Sequence, residues 1–217
     1  MNVHLCFHGI GTCTREREPG EAGYWVDRDL FLRIVDQVAE HHGVTLSFDD
    51  GNRSDVDIVL PALQERGLTA TFFPLAGRLE DPLSLAADDL HQLRNAGMTI
   101  GSHGWDHVPW RRLSPADTRR EFVDSRNALE EAAGAPITTV AVPLGQYDRR
   151  ALKCLRQEGY RTVFSSDRHP ARERAWLSAR YSVGAGDDLG SVRRILTNHA
   201  GAREMRNVIS SSVKRMR

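Results

Sequence analysis

The chain has 217 residues, of which 40% are hydrophobic, so it can bury a core and lies outside the composition of disordered proteins. Its 29 lysine and arginine residues balance 29 aspartate and glutamate residues, which excludes bulk electrostatic binding of nucleic acid or of a membrane surface as its main role. No apolar run approaches the length of about 18 residues that a membrane-spanning helix needs. The length fits one domain that covers residues 1–217.

The N-terminus and the cysteines indicate a cellular compartment. The first residues show no basic region followed by a long apolar run, so no signal peptide is expected. The three cysteines, Cys6, Cys13 and Cys154, contain no C-x-x-C spacing and predict neither a disulfide framework nor a zinc ribbon. We therefore expect a cytoplasmic protein. No feature of the sequence predicts an oligomeric state.

Short β-branched runs alternate with longer helical patterns that end at glycine, which is typical of an α/β fold. Strands are predicted at residues 3–7, 44–48, 69–73, 98–101, 137–142, 161–164 and 180–183. Helices are predicted at residues 27–43, 54–67, 85–97, 114–134 and 148–159, with a last one from about 188 that breaks at 201. Asp27 is the expected N-cap of the first helix, Ser54 and Asp57 form a start resembling a capping box, and Ser114 precedes Pro115 at another helix start.

The chain ends in a basic tail from about residue 202. From residue 191 onward, seven lysines and arginines face one acid, Glu204. The ordinary interpretation is a solvated helix face with a frayed end. Weak contact with an anionic partner is the alternative.

Polar side chains follow several of the predicted strands. The carboxyl ends of parallel strands meet at one rim of a sheet or barrel, where α/β enzymes build their sites. The residues at that rim are His8, Asp49, Asp50, His103, His107, Pro143, Gly145 and Asp167. The sequence therefore predicts one convergent site.

Two of these groups have the chemistry of a metal centre. On a helical turn, His103 and His107 would lie about 6 Å apart along the axis and on one side, close enough to bind one cation. The adjacent carboxylates Asp49 and Asp50 would point different ways on a strand, so one could bind metal while the other faces substrate. An ordinary Asp-Gly turn is the alternative for this pair. Two histidines and one aspartate leave open coordination positions, as a catalytic site requires.

These residues resemble the motifs of the NodB-type polysaccharide deacetylases, carbohydrate esterase family 4. Residues 45–51, T-L-S-F-D-D-G, resemble the first motif, residues 102–107, S-H-G-W-D-H, resemble the second, and A-T-F-F at 70–73 lies between them. The resemblance implies a distorted (β/α)7 barrel. It also implies that Asp50, His103 and His107 hold a divalent metal, usually zinc, and that Asp49 is the general base.

The resemblance weakens after residue 107. Residues 141–145, A-V-P-L-G, lack the arginine that orients the base in the family, and Arg149, Arg150 or Tyr147 are the candidates to replace it. By analogy, the backbone N–H of Leu144 would stabilise the oxyanion, with Pro143 and Gly145 beside it.

Further candidates for contact with substrate are Asp167 and the tryptophans Trp105 and Trp110. Asp167 fits the place of the fourth-motif aspartate, although a helix cap or turn is an equal alternative. The two tryptophans could stack on a sugar, although such residues more often pack in a core or lid.

Two histidines compete for the role of general acid. His199 in the sequence I-L-T-N-H is offset from the family's fifth motif by one residue, whereas His8 directly follows the first strand at the catalytic rim. The sequence does not decide between them.

The function expected from these features is metal-dependent removal of the N-acetyl group from an amino sugar. The partner is then an N-acetylated saccharide, and the absence of a predicted signal peptide favours a cytosolic saccharide or glycoconjugate. One alternative is hydrolysis of a non-sugar amide by the same metal site. The other is a catalytically impaired relic that binds metal or saccharide.

Overall fold

The computed structural model describes residues 2–172, 174–197 and 202–216. Its centre is a barrel of parallel strands in two hydrogen-bonded sheets. One sheet has the order β4-β3-β2-β1-β8 and the other has the order β5-β6-β7. The strands are β1 (Val3–Phe7), β2 (Val44–Asp50), β3 (Ala70–Pro74), β4 (Thr99–Ile100), β5 (Thr139–Ala141), β6 (Thr162–Ser165), β7 (Leu177–Ala179) and β8 (Tyr181–Ser182).

The two sheets join at both ends. Ser102, just beyond β4, bridges to Val140 of β5 in parallel register. At the other end only Arg180 separates β7 from β8, and its N–H donates to Ser165 of β6 at 2.8 Å. Since β7 and β8 form one bent strand, the barrel has seven sides and is irregular at these two joints. This confirms the expected distorted (β/α)7 barrel.

The helices pack around this barrel. They are α1 (Arg28–Ala39), α2 (Leu60–Glu65), α3 (Ala87–Asn95), α4 (Pro115–Arg119), α5 (Ser125–Ala133), α6 (Arg149–Gln157), α7 (Leu189–Thr197) and α8 (Ala202–Met216). Single π-helical turns at Asp55–Val59 and Arg120–Asp124 lead into α2 and α5. None of the described helices has the length and apolar character to cross a bilayer.

Most helix starts are where the sequence predicts them. The side chains of Asp27, Ser114 and Asp148 accept hydrogen bonds from the first turns of α1, α4 and α6. The predicted cap at Ser54 is wrong, because its Oγ accepts from the N–H of Ile10 at 3.2 Å. That hydroxyl therefore ties the loop after β1 to the barrel.

Two predicted regions differ from the structure. The last predicted strand, at residues 180–183, is replaced by two short strands that begin at Leu177, and Arg180 lies between them. The C-terminal region forms the helix α8, with Ser211 fully buried, where a frayed end is expected.

Strand alternation determines which side chains enter the barrel. Leu5 and Phe7 of β1 and Phe48 of β2 belong to the core shared with the surrounding helices. Their neighbours therefore point to the other face, which places Cys6 and Asp49 inside the barrel. The alternation of side chains along β2 thus places Asp49 in the barrel interior, at the carboxyl end of the strand.

Candidate metal and catalytic site

A pocket of about 260 Å³ opens at the carboxyl ends of the strands, where the sequence predicts the site. Its floor consists of Asp49, Asp50, His103 and His107. Its walls come from the loops after β1, β3, β5 and β6 and from the end of β8. They include His8, Glu18, Tyr24, Arg78, Leu144, Gln146, Ser166 and Ser182. The structure therefore brings together residues from most of the barrel's loops.

Three side chains at the floor fit a divalent cation. Oδ1 of Asp50 lies 3.5 Å from Nε2 of His103 and 3.5 Å from Nε2 of His107. Two ligand atoms of one tetrahedral zinc ion are about 3.4 Å apart, so this spacing suits a shared ion. Asp50 Oδ1 and His103 Nε2 are buried and have no hydrogen-bond partner among the described residues. Buried polar atoms seldom stay unpaired, which supports a cation site between them.

Each of these histidines is oriented by a contact on its other ring nitrogen. Nδ1 of His103 lies 2.9 Å from the carbonyl oxygen of Ala141, and Nδ1 of His107 lies 2.6 Å from Oε2 of Glu18. An acceptor beside Nδ1 favours the tautomer in which Nδ1 carries the ring proton and donates it in a hydrogen bond. The lone pair of Nε2 is then available to a metal. Glu18 also pairs with Arg78, which fixes the carboxylate. Sequence reasoning missed Glu18 because it lies in an irregular loop.

The predicted helical turn at 103–107 is not present. Gly104 and His107 have φ values of +86° and +55°, which are left-handed, so the segment curls as a loop. The two imidazole centroids nevertheless lie 5.2 Å apart. The two histidines are therefore close together, as expected, but a curled loop and not a helical turn brings them together.

Asp50 also departs from regular strand geometry. Its φ of +75° ends the alternation along β2, so Asp49 and Asp50 both line the pocket although they are adjacent. The next residue is Gly51, where a Cβ would lie 2.8 Å from Cβ of Pro74. The backbone here needs glycine, and strained positions of this kind are common at functional sites.

Asp49 is held by an arginine that the sequence analysis did not identify. Nη1 and Nη2 of Arg180 donate to Oδ1 and Oδ2 of Asp49 at 2.7 and 2.6 Å. Both side chains are almost completely buried. Nη1 also donates to Oγ of Ser47 at 3.0 Å. A bidentate pair fixes both the position and the plane of the carboxylate.

Burial alone would raise the pKa of Asp49, but the Arg180 guanidinium holds it well below its usual range. Asp49 is therefore ionised. Burial lowers the pKa of His103 to about 4, against the opposing effect of the two aspartates, so its imidazole is neutral at pH 7. A neutral imidazole is the form that binds metal.

The three candidates to replace the missing family arginine are therefore wrong. Tyr147 donates to Asp167 instead, at 2.7 Å, and Arg149 and Arg150 are exposed on α6. The signal that could have identified Arg180 was a charged residue at the start of a predicted strand. Arginine is seldom fully buried without an anionic partner, and the anion here comes from β2.

A second group, Cys6, His8 and Asp49, also has potential ligand atoms within 4.8 Å of one another. It fits a cation less well, because both oxygens of Asp49 are already paired with Arg180. His8 lines the pocket with its ring 4.8 Å from that of Tyr24, and its Nδ1 is buried without a partner among the described residues. His8 is thus at the site, as predicted from its place after β1.

Leu144 stands at the pocket edge on the loop after β5. Its φ of +56° turns the backbone sharply, and its side chain is 51% exposed. No described residue accepts a hydrogen bond from its N–H. Pro143 and Gly145 are buried on either side and shape this loop without lining the pocket. A free N–H here can donate to a substrate oxygen.

Trp105, Trp110 and Asp167 do not line the pocket, so the alternative of packing applies to both tryptophans. Trp105 packs against the main core, with the Arg120 guanidinium 4.6 Å from its ring centroid. Trp110 is fully buried. Asp167 instead accepts from Tyr147, Ser165 and Lys214.

His199, the other histidine considered as a general acid, lies outside the described residues.

Comparison with known proteins gives the family. The family model for polysaccharide deacetylases matches residues 36–163. YxkH of Bacillus subtilis (strain 168), whose own description as a polysaccharide deacetylase is provisional, is 26% identical over 117 residues, covering 54% of this chain and 42% of YxkH. The peptidoglycan-N-acetylmuramic acid deacetylase PdaC of the same organism is 29% identical over 103 residues, covering 47% of this chain and 21% of PdaC. The chain thus spans less than half the length of these relatives.

The structure of the Streptococcus pyogenes deacetylase PplD, in complex with acetate, superposes with a TM-score of 0.78 at 17% identity. The match covers 90% of this chain and 97% of PplD. At this identity the likeness establishes the shared fold. Because the family model covers more than half of the chain, the chain belongs to the polysaccharide deacetylase family, carbohydrate esterase family 4.

Proposed function

We propose that the chain is a metal-dependent deacetylase that hydrolyses the N-acetyl group of an amino sugar in a saccharide or glycoconjugate. The observation that carries the proposal is the position of Asp49. Its Oδ2 lies 3.8 Å from Nε2 of His103, beside the three side chains that suit a cation. An ionised carboxylate next to an open metal site is the arrangement that metal-assisted amide hydrolysis needs.

Asp50, His103 and His107 are the residues that would hold the metal, with zinc as the expected ion. When bound, such a cation polarises the acetyl carbonyl and makes a water molecule more acidic. Glu18 and the Ala141 carbonyl keep both imidazoles in the required tautomer.

The chain's own residues supply the remaining steps. Asp49, fixed by Arg180, accepts the proton of the attacking water through a carboxylate oxygen. The Leu144 N–H donates to the carbonyl oxygen as negative charge develops there. His8 donates a proton to the sugar nitrogen as the C–N bond breaks, so that the products are acetate and a free amine. His199 stays an alternative donor.

The proposal is tested by acetate release from N-acetylated monosaccharides, chitin oligosaccharides and peptidoglycan fragments, with metal-loaded protein. Asp49→Asn should reduce release by about 100-fold or more, because the base is lost, while the stoichiometry of metal binding stays unchanged. Asp88→Asn is the matched control, since Asp88 is an exposed aspartate on α3.

Equal acetate release by Asp49→Asn and the wild type would contradict the proposed base. Cleavage confined to amides that carry no sugar would favour the alternative substrate class. Failure to release acetate from any of these substrates, with metal bound, would refute deacetylation of saccharides.

A further inference from the structure

A second depression lies on the outer surface of the barrel, beside α6. Four cationic side chains surround it, three from α6 and one from the end of α8, and three apolar side chains form its floor. The cations are Arg149, Lys153, Arg156 and Arg215, and the floor consists of Leu152, Trp176 and Leu177. We call this feature, which has a volume of about 370 Å³, the basic groove.

The cations of the basic groove have no anionic partner within the part of the chain that the structure describes. No described carboxylate lies within 4.0 Å of any of the four, whereas Arg66 and Arg126 elsewhere pair with Asp36 and Glu158. The whole chain is neutral, with 29 basic and 29 acidic residues. The charge in the groove is therefore a local concentration.

The groove cations also repel one another. Arg149, Lys153 and Arg156 are spaced i, i+4 and i+7 along α6, so they share one helical face. An anion bound among them would relieve that repulsion. An arrangement with unrelieved like charge favours an anionic ligand over a neutral one.

Arg156 is positioned without using its hydrogen-bond donors. Its guanidinium carbon lies 4.3 Å from the ring centroid of Trp176, and Nε1 of Trp176 donates to the carbonyl of Tyr160 at 2.8 Å. Stacking on an anchored ring holds the guanidinium in place. Its N–H groups stay available for a carboxylate or phosphate.

The groove adjoins the loop that carries Leu144. Lys214, next to Arg215, donates to the carbonyl of Gly145 at 3.1 Å. Arg149 follows Gly145 by only four residues. The loop at the pocket edge therefore leads directly into the helix that carries three of the groove cations.

We propose that the basic groove binds anionic groups, carboxylate or phosphate, carried by a glycan chain. The choice of a glycan rests on the proposed function of the adjoining pocket. The groove would then select charged glycans over neutral ones by adding contacts outside the pocket.

The test is a direct binding titration at low salt with a hyaluronan hexasaccharide, which carries carboxylates, and with a neutral chitin hexasaccharide. Arg149→Gln/Lys153→Gln leaves the stack of Arg156 on Trp176 intact, and should weaken hyaluronan binding by about tenfold or more while chitin binding is unchanged. Arg28→Gln/Arg33→Gln on α1 is the control, because both arginines are exposed and the change in net charge is equal. Arg156→Gln is a second groove variant with the same expected direction.

Equal hyaluronan affinity in the groove variants and the wild type would overturn the proposal. The proposal would also be overturned if the wild type bound polyuridylic acid more tightly than hyaluronan and the groove variants lost that binding. The ligand class would then be nucleic acid. Because binding is measured directly, a chain that released no acetate would refute the proposed function and leave this result valid.

Discussion

Asp49 and Arg180 form a buried ion pair that comes from opposite parts of the chain, 131 residues apart in sequence. Burying either charge alone would be costly, so each requires the other. The pair also sets the direction in which the Asp49 carboxylate faces the proposed metal ligands. One contact therefore serves both folding and the proposed chemistry.

Arg180→Lys should separate these two roles. Lysine keeps the positive charge but loses the bidentate geometry, so Asp49 would be ionised and less well oriented. We expect kcat to fall by about 10- to 100-fold with little change in KM. Arg150→Lys, at an exposed position on α6, should leave both constants unchanged in the same steady-state assay. A kcat for Arg180→Lys equal to that of this control would show that Arg180 does not position the base.

Glu18→Gln tests the contact behind His107. The neutral amide polarises the imidazole less than the carboxylate does, so the dissociation constant for zinc should rise by about 10- to 100-fold. Competition with a zinc-binding dye measures this without any turnover. Glu80→Gln, which removes one exposed acid, is the control. Equal zinc affinities in the two variants would exclude a role for Glu18 in metal binding.

The sequence predicts a site residue only where its type and its position after a predicted strand are enough to place it. Asp49, Asp50, His103 and His107 each follow a predicted strand, so their convergence is predictable from the parallel topology. Arg180 and Glu18 act through contacts with residues far away in sequence, which no local period encodes. Trp105 was a candidate for contact with substrate because it lies in a motif, but its ring packs against the core. A place in a motif does not determine the direction in which a side chain packs.

At the scale of elements, helix α8 supports the loop after β5. Nζ of Lys214 donates to the Gly145 carbonyl at 3.1 Å and to Oδ1 of Asp167 at 2.6 Å. Burial alone would raise the pKa of Asp167, but hydrogen bonds from Lys214, Ser165 and Tyr147 lower it overall. The C-terminal helix therefore has a specific docking contact near the pocket.

Lys214→Met should lower the free energy of unfolding by about 1–2 kcal/mol at pH 7, a value reduced for the partial exposure of Lys214. The pKa of Asp167 is lowered on folding, so its stabilisation is present above its unfolded value of about 3.9 and is lost as the pH falls through the folded value. The difference in the free energy of unfolding between Lys214→Met and the wild type should therefore become smaller in that acidic range. Urea unfolding at several pH values measures it.

Arg215→Met is the matched control for this variant, since its side chain is exposed at the next position. A loss of stability in Lys214→Met that is no larger than in the control would contradict docking through Asp167. A loss that stays constant down to acidic pH would assign the effect to packing and not to the ion pair.

Helix ends were more predictable than strand ends. Asp27, Ser114 and Asp148 cap their helices by local hydrogen bonds, which depend on a few consecutive residues. The bounds of β7 and β8 depend instead on pairing with β6 and β1. The predicted cap at Ser54 is wrong because of a similar long-range contact. Its hydroxyl oxygen accepts a hydrogen bond from the backbone N–H of Ile10, which is distant in sequence.

Across the whole molecule, closure of the barrel brings the proposed metal ligands and the proposed base together. β2 supplies Asp49 and Asp50, the loop after β4 supplies the two histidines, and the β7–β8 junction supplies Arg180. The alternating pattern of strands and helices was enough to predict this class of fold. The cytoplasmic location stays a prediction.

The proposed function depends on one cation held by Asp50, His103 and His107. The most direct measurement is acetate release from a chitin oligosaccharide by chelator-treated protein, titrated with zinc. We expect no release without metal, and a rise that saturates near one equivalent per chain for the wild type but is absent for His103→Ala. Full release from metal-free protein, or an unchanged titration for His103→Ala, would contradict the account.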